Sequence, residues 1–189
     1  MDDSKEKSGL FKGASKSATK PLLLLDVDGV LCPFGSELNS PPKGYAPAVI
    51  SGGNRWLWCS DLNRDYLAEL AGYYDLTWAT MWENDANSTV GEWHFLDPMP
   101  HISFTEYYHR NGGFPLGEHH KIGAVQEYVG DRPFAWVDDD IDDDVIAWAG
   151  RREQPTLALP IRPEVGLDAE AVERLRTFAR SIIGGMSGI

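Results

Sequence analysis

The sequence is poor in cysteine and contains no long hydrophobic run. Its 189 residues include only two cysteines, Cys32 and Cys59. A chain of this length buries a core large enough to need no disulfide bond or structural metal. Nothing in the spacing of the two cysteines requires them to pair, so we expect free thiols and a reducing, cytoplasmic compartment. No apolar stretch has the length of a membrane span or the pattern of a signal peptide, so we expect no membrane partner.

Basic residues are also scarce over most of the chain. The net charge is −12, with 17 basic residues against 29 acidic ones. Residues 1–20 hold five lysines against three acidic residues, which leaves about −14 on the remainder. A body of this charge repels a phosphate backbone, so we expect no indiscriminate nucleic-acid binding. Residues 1–20 are rich in Ser, Lys and Gly and predict a disordered tail, whereas residues 21–189 predict a single domain.

The most informative pattern runs from residue 22 to residue 31. Four leucines, at 22–25, are typical of a strand that is buried on both faces. They are followed by Asp26 and Asp28, whose i, i+2 spacing places both carboxylates on one side of an extended chain. Adjacent like charges repel, and a divalent cation is the simplest compensation, whereas a strand end with solvated aspartates is the alternative. Gly29 then permits a sharp turn.

The rest of the chain alternates between strand-like and helix-like patterns. This alternation predicts an α/β fold, a three-layer sandwich around a mostly parallel, Rossmann-like sheet with right-handed crossovers. Two apolar runs on either side of a glycine-rich turn predict a small β-hairpin over about residues 45–59. The predicted strands are 22–25, 45–50, 55–59, 75–80, 102–104, 133–137 and 156–159, and the predicted helices are 61–71, 83–90, 118–129, 142–150 and 168–183.

Polar residues follow several of the predicted strands. Thr80 ends one strand, Asp138 and Asp139 follow another, and Lys121 lies in the helix before the latter. Parallel strands share one carboxyl edge, so these groups can meet near the first aspartate pair. Each of these residues also has a simpler interpretation. Thr is common in strands, and Thr77 is an alternative to Thr80 as the hydroxyl of the site. A lysine at the start of a helix is often solvated. The six aspartates within 138–144 also include residues that favour a helix N-terminus.

The order and type of these groups resemble the four motifs of the haloacid dehalogenase (HAD) superfamily of phosphohydrolases. In that family an apolar strand ends in Asp-x-Asp-Gly, which matches Asp26 to Gly29. A Thr or Ser after the second strand matches Thr80, a basic residue matches Lys121, and an acidic pair after a later strand matches 138–139. The resemblance covers about residues 21–183.

The resemblance implies a phosphatase that hydrolyses phosphomonoesters. Asp26 would be the nucleophile that forms an aspartyl-phosphate, and Asp28 would be the general acid and base. Thr80 and Lys121 would hold the phosphoryl oxygens. The implied substrate is a phosphorylated compound whose class stays open between nucleotide, nucleic-acid terminus, sugar phosphate and phosphoprotein.

The resemblance also implies Mg²⁺ as the cofactor. Its ligands would be Asp26, Asp138 and the backbone carbonyl of Asp28, with Asp139 expected to assist and Asp143 as a further candidate. The choice among the assisting aspartates stays open.

No segment is long enough for a folded cap domain, so the resemblance is to capless members, which act on bulky or macromolecular phosphates. Two alternatives use the same residue types: a receiver-like domain that is phosphorylated without turnover, and a catalytically silent module that binds Mg²⁺ or phosphate. The order of the motifs fits a hydrolase better than a receiver, because receivers place their acidic pair after the first strand and their phospho-acceptor after a middle one.

Overall fold

The computed structural model describes residues 20–35, 40–49, 56–94, 96–115 and 119–186. The predicted tail therefore lies outside the described residues except for Lys20, as do the turn of the predicted hairpin and the predicted helix start at Glu118. The elements, in chain order, are β1 (Leu22–Leu25), β2 (Ala46–Val49), β3 (Trp56–Cys59), α1 (Asp61–Leu70), β4 (Asp75–Trp78), α2 (Phe104–Arg110), α3 (Ile122–Val129), β5 (Phe134–Asp138), α4 (Asp143–Gly150), β6 (Thr156–Pro160) and α5 (Ala169–Met186).

Four strands form a parallel sheet in the order β4-β1-β5-β6. The predicted α/β architecture with a mostly parallel, Rossmann-like sheet is confirmed. The leucine strand β1 lies between β4 and β5, and its side chains are almost fully buried. A strand with neighbours on both edges and helices on both faces has no contact with water, which explains its uninterrupted apolar run.

The side chains of the central strands alternate between two cores, one on each face of the sheet. Leu23 and Leu25 pack with α1 and α5, whereas Leu22 and Leu24 pack with α2, α3 and α4. Strand β5 follows the same alternation, and its Trp136 joins the second core. This is the three-layer arrangement that the sequence predicts.

The predicted hairpin is present as the antiparallel pair β2–β3, a separate two-stranded sheet. Its residues Ala48 and Cys59 are buried in the core that includes α1 and α5. Directly after β3, the side chain of Ser60 accepts a hydrogen bond from the backbone N–H of Leu62 at 3.2 Å and caps α1. The end of the hairpin is thus joined directly to the helix that follows.

The prediction is wrong between residues 102 and 110. The predicted strand 102–104 is absent, and the helix α2 begins at Phe104. Among the described residues of this segment, His101 alone bridges to the edge strand β4, because Pro98 and Pro100 have no N–H with which to extend a ladder. The predicted helix 83–90 is present with shifted bounds, since residues 85–93 are helical and include a π-helical segment at Asn87–Gly91.

None of the helices in the described part of the chain has both the length and the apolar character that a membrane span requires.

Candidate functional site

Asp26 and Asp138 lie side by side at the carboxyl edge of the sheet. Leu25 pairs with Val137 in the parallel register of β1 and β5, so the next residue of each strand is an aspartate. The backbone N–H of Asp26 donates to the carbonyl of Val137 at 3.0 Å, which extends the register to the site. By the alternation of side chains, both carboxylates point to the face of the sheet that is covered by α3.

Lys121 joins these two carboxylates. It occupies the N-cap position of α3, and its Nζ donates to Asp26 Oδ2 and to Asp138 Oδ2, both at 2.7 Å. All three side chains are buried. Burial works against the charged ammonium, but the two carboxylates outweigh it and raise the pKa of Lys121, so the lysine is charged at neutral pH.

The Asp138 carboxylate is held in one orientation by several donors. Besides Lys121, the indole Nε1 of Trp136 donates to Oδ2 at 3.0 Å, and the backbone N–H of Asp140 donates to Oδ1 at 3.0 Å. Asp138 has no exposed surface. Hydrogen bonds to both oxygens fix the orientation of this buried carboxylate, so Asp138 is not a solvated aspartate at the end of a strand.

Asp139 adds a third carboxylate beside Gly29. Gly29 has a positive φ of 71°, and a Cβ at this position would lie 2.5 Å from Asp139 Cγ. Glycine is therefore required here both for the backbone conformation and for the approach of the acid. Burial, followed by the charges of Asp138 and Asp26, raises the pKa of Asp139 to about 6. Burial and Asp138 likewise raise the pKa of Asp26.

Asp28 and Thr80 border this cluster. The indole Nε1 of Trp82 donates to Asp28 Oδ2 at 2.8 Å, which fixes the carboxylate two residues after Asp26. The hydroxyl of Thr80 acts to lower the pKa of Asp26, and it accepts a hydrogen bond from the backbone N–H of Trp82 at 3.3 Å. The segment after β4 thus contacts both aspartates of the first motif.

Three carboxylates of this site could hold a metal ion. One oxygen each from Asp26, Asp138 and Asp139 lies within 4.8 Å of the others, and a group of this kind suits a hard cation with oxygen ligands. The three carboxylates carry three negative charges, and the ammonium of Lys121 offsets one of them. The remaining two negative charges equal in size the charge of one divalent cation.

No protein family model, curated protein or solved structure matches this chain.

The remaining sequence candidates lie elsewhere. The side chain of Asp142 accepts from the backbone N–H of Val145 at 3.0 Å and caps α4, and Asp143 is exposed in the first turn of that helix. These positions match the helix-start interpretation of the acidic run. The alternative hydroxyl, Thr77, lies within β4 opposite Leu24, and its Oγ1 is buried without a hydrogen bond.

Two histidines before Lys121 form a second group with Asp140. One ligand atom each of His119, His120 and Asp140 lies within 4.8 Å of the others. The backbone N–H of Lys121 donates to His119 Nδ1 at 3.3 Å, so the proton is on Nε2, which donates to the Asp140 carbonyl at 2.8 Å. Both nitrogens of His119 are thus already hydrogen-bonded, and the ring supports the loops on either side of Lys121 rather than offering a metal ligand.

The sequence does not predict the hydrogen bonds of the two tryptophans at the site. The position of Trp82 next to Thr80 is consistent with a place at the border of the site, and Trp136 is predicted only as part of the strand 133–137. Each donates its indole N–H to an aspartate. These contacts have a signal in the sequence, because the indole N–H of a buried Trp requires a hydrogen-bond acceptor and the predicted aspartates lie at the same edge of the sheet.

Proposed function

We propose that this chain is a Mg²⁺-dependent phosphohydrolase of the HAD type that cleaves phosphomonoesters through an aspartyl-phosphate on Asp26. The proposal combines the motif order in the sequence with the position of Lys121. A lysine within 2.7 Å of both Asp26 and Asp138 joins the first, third and fourth motifs at one point. The observation that carries the proposal is this buried contact among residues separated by 95 and 17 positions.

The reaction requires a nucleophile and a separate proton donor. An oxygen of the Asp26 carboxylate attacks phosphorus, the bond to the leaving oxygen breaks, and the Asp28 carboxylic acid protonates that oxygen. The Asp28 carboxylate then accepts a proton from water as the water oxygen attacks phosphorus. Phosphate departs and the Asp26 carboxylate is restored.

Lys121 and Thr80 serve the phosphoryl group in this scheme. The ammonium of Lys121 offsets the charge of Asp26 and binds a phosphoryl oxygen, and the hydroxyl of Thr80 donates a hydrogen bond to another. Trp82 holds Asp28 through its indole N–H. Asp26, Asp138 and Asp139 would hold Mg²⁺, which would supply positive charge to offset that of the phosphoryl group.

The test is release of phosphate from p-nitrophenyl phosphate with Mg²⁺ and with EDTA. We expect turnover with Mg²⁺ only, and a loss of at least about 10³-fold in Asp26→Asn, because this change removes the nucleophile. Asp144→Asn is the matched control, since Asp144 is exposed in the first turn of α4. Equal turnover by wild type and Asp26→Asn would disprove the proposed mechanism. Stable phosphorylation of the protein without turnover would instead indicate a receiver-like module.

A further inference from the structure

The two cysteines of the chain are in contact, although 27 positions separate them. Cys32 Sγ and Cys59 Sγ lie 3.9 Å apart, and both residues are 1% exposed. Both are free thiols. The hydrogen bond to Cys59 and burial raise the pKa of Cys32, whereas the same hydrogen bond lowers the pKa of Cys59. Either sulfur can be the donor in this contact, and the lowered pKa favours Cys59 as the attacking thiolate.

Cys32 belongs to the turn that carries the first acidic motif. Its backbone N–H donates to the carbonyl of Val27 at 3.0 Å, and its carbonyl accepts from the N–H of Gly29 at 3.0 Å. Asp28 lies between these two partners. A covalent bond at Cys32 would therefore restrain the turn that contains Asp28.

Cys59 belongs to the hairpin on the other side of this contact. It is the last residue of β3, pairs with Ala46 of β2, and precedes Ser60, the cap of α1. The hairpin is a two-stranded sheet with four residues in each strand. Such a hairpin is marginally stable by itself, so its opening is the natural route by which a small reagent reaches Cys59.

We propose that Cys32 and Cys59 form a reversible intramolecular disulfide, closed by a low-molecular-weight disulfide such as glutathione disulfide, that fastens the β2–β3 hairpin to the turn carrying Asp28. The sulfurs need to approach by about 2 Å to reach bonding distance, a movement within the range of side-chain rotation. This disulfide requires none of the hydrolase chemistry proposed above.

The reaction is two successive thiol–disulfide exchanges. The Cys59 thiolate attacks one sulfur of glutathione disulfide, forms a mixed disulfide and releases one glutathione thiolate. Cys32 then loses its proton, attacks Cys59 Sγ and releases the second glutathione. Two electrons pass from the protein sulfurs to glutathione, and the two thiol protons end on the released glutathione molecules.

The test is incubation of the reduced full chain in mixtures of reduced and oxidised glutathione, followed by alkylation and intact mass measurement. We expect the oxidised protein to lose the mass of two hydrogen atoms, to resist alkylation, and to link the tryptic peptides that contain Cys32 and Cys59. Closing this loop should raise Tm by roughly 5–15 °C and slow amide exchange in the strands β2 and β3. Dithiothreitol should reverse each change.

Single variants assign the order of attack. Cys32→Ser should stop at one bound glutathione on Cys59, whereas Cys59→Ser should react at least about tenfold more slowly, because the remaining thiol has the raised pKa. The wild-type protein tests the proposal even if either variant fails to fold. Two bound glutathiones on wild type, a disulfide-linked dimer, or thiols that stay free at high glutathione disulfide would each overturn it.

Discussion

At the scale of single residues, the most informative feature of the site is the pair of buried ion pairs formed by one lysine. Lys121 is one of only two lysines after residue 20, and its ammonium lies between two buried carboxylates. Ion pairs of this kind contribute little net stability compared with apolar side chains, but removing one partner leaves the other charge buried and unpaired. A gain in stability therefore does not explain the cluster, which is consistent with the proposed metal site.

Replacing Lys121 tests this interpretation. We expect Lys121→Met to lower the free energy of unfolding by about 3–5 kcal/mol, because Asp26 and Asp138 lose their common partner. Mg²⁺ should restore part of the loss by supplying positive charge. Urea unfolding with and without Mg²⁺ measures both effects, with Lys43→Met as the control at an exposed lysine. A Lys121→Met variant as stable as wild type would show that the carboxylates do not depend on this ammonium.

Trp82 is the second residue with a testable role, which depends on the proposed hydrolase activity. Trp82→Phe keeps the ring but removes the N–H that holds Asp28 at 2.8 Å. We expect kcat to fall about 10- to 100-fold with KM changed by less than about twofold, since a hydrogen bond to a charged group contributes about 1.5–3 kcal/mol. Steady-state kinetics on p-nitrophenyl phosphate measures the two constants separately.

The control is Trp93→Phe, which makes the same change at another partly buried indole. Equal kcat and KM values in Trp82→Phe and wild type would show that the indole N–H of Trp82 does not contribute to the proposed role of Asp28.

At the scale of elements, the segment between β4 and α2 covers the edge of the sheet. Asn87 connects its two ends: Trp78 Nε1 and the backbone N–H of Met99 donate to Asn87 Oδ1, both at 2.8 Å, and Asn87 Nδ2 donates to the Met99 carbonyl at 2.9 Å. The carboxylate of Glu83 accepts from the backbone N–H of Thr105 at 2.6 Å, at the start of α2. Side-chain contacts thus replace the ladder that the prolines prevent.

Asn87→Ala should therefore loosen this edge. We expect a loss of about 2–4 kcal/mol in unfolding free energy, because the change leaves partly buried donors on Trp78 and Met99 without an acceptor. Amide exchange should rise at Met99 and Ile102. Ser88→Ala is the neighbouring control, with an expected effect below about 0.5 kcal/mol at an exposed hydroxyl. Similar losses in both variants would contradict the proposed role of Asn87.

At the scale of the whole molecule, the parallel sheet brings acidic side chains from separate parts of the chain together at its carboxyl edge. The parallel register brings Asp26 and Asp138 together, and the turn after β5 adds Asp139. The raised pKa values of Asp26 and Asp139 show that the metal-free site takes up protons more readily than a solvated carboxylate does. Protons and a divalent cation therefore compete for the same oxygens.

This competition predicts a pH-dependent response to Mg²⁺. At pH 7.5, Mg²⁺ at about 100 times its Kd should raise Tm by roughly 5–10 °C. At pH 5, below the pKa of about 6 of Asp139, the rise should be much smaller, because the protonated acids must release protons before they bind the ion. Thermal scans with Mg²⁺ or EDTA at each pH measure the difference, and Asp138→Asn should abolish the shift. An equal shift at both pH values would contradict this site.

The strand β1, the hairpin and the starts of the helices α1 and α4 were predictable because their signals are local. Apolar runs, glycine-rich turns and cap residues act within a few positions of the backbone that they shape. The α2 helix was not predicted, although its buried residues Phe104 and Tyr108 are four positions apart, and the contact of its first turn with Glu83 through the Thr105 backbone N–H spans 22 positions. No short-range pattern records such a contact.

The sequence alone determined the alternation of strands and helices, the acid spacing after β1, and the order of the acidic, hydroxyl and basic groups, since each follows from neighbouring residues. Only the tertiary structure decided that Lys121 contacts two carboxylates, that Trp82 supports Asp28, and that Cys32 meets Cys59. The physical reason is that the parallel register and the packing of two cores select these contacts among distant residues, and that selection depends on the whole fold.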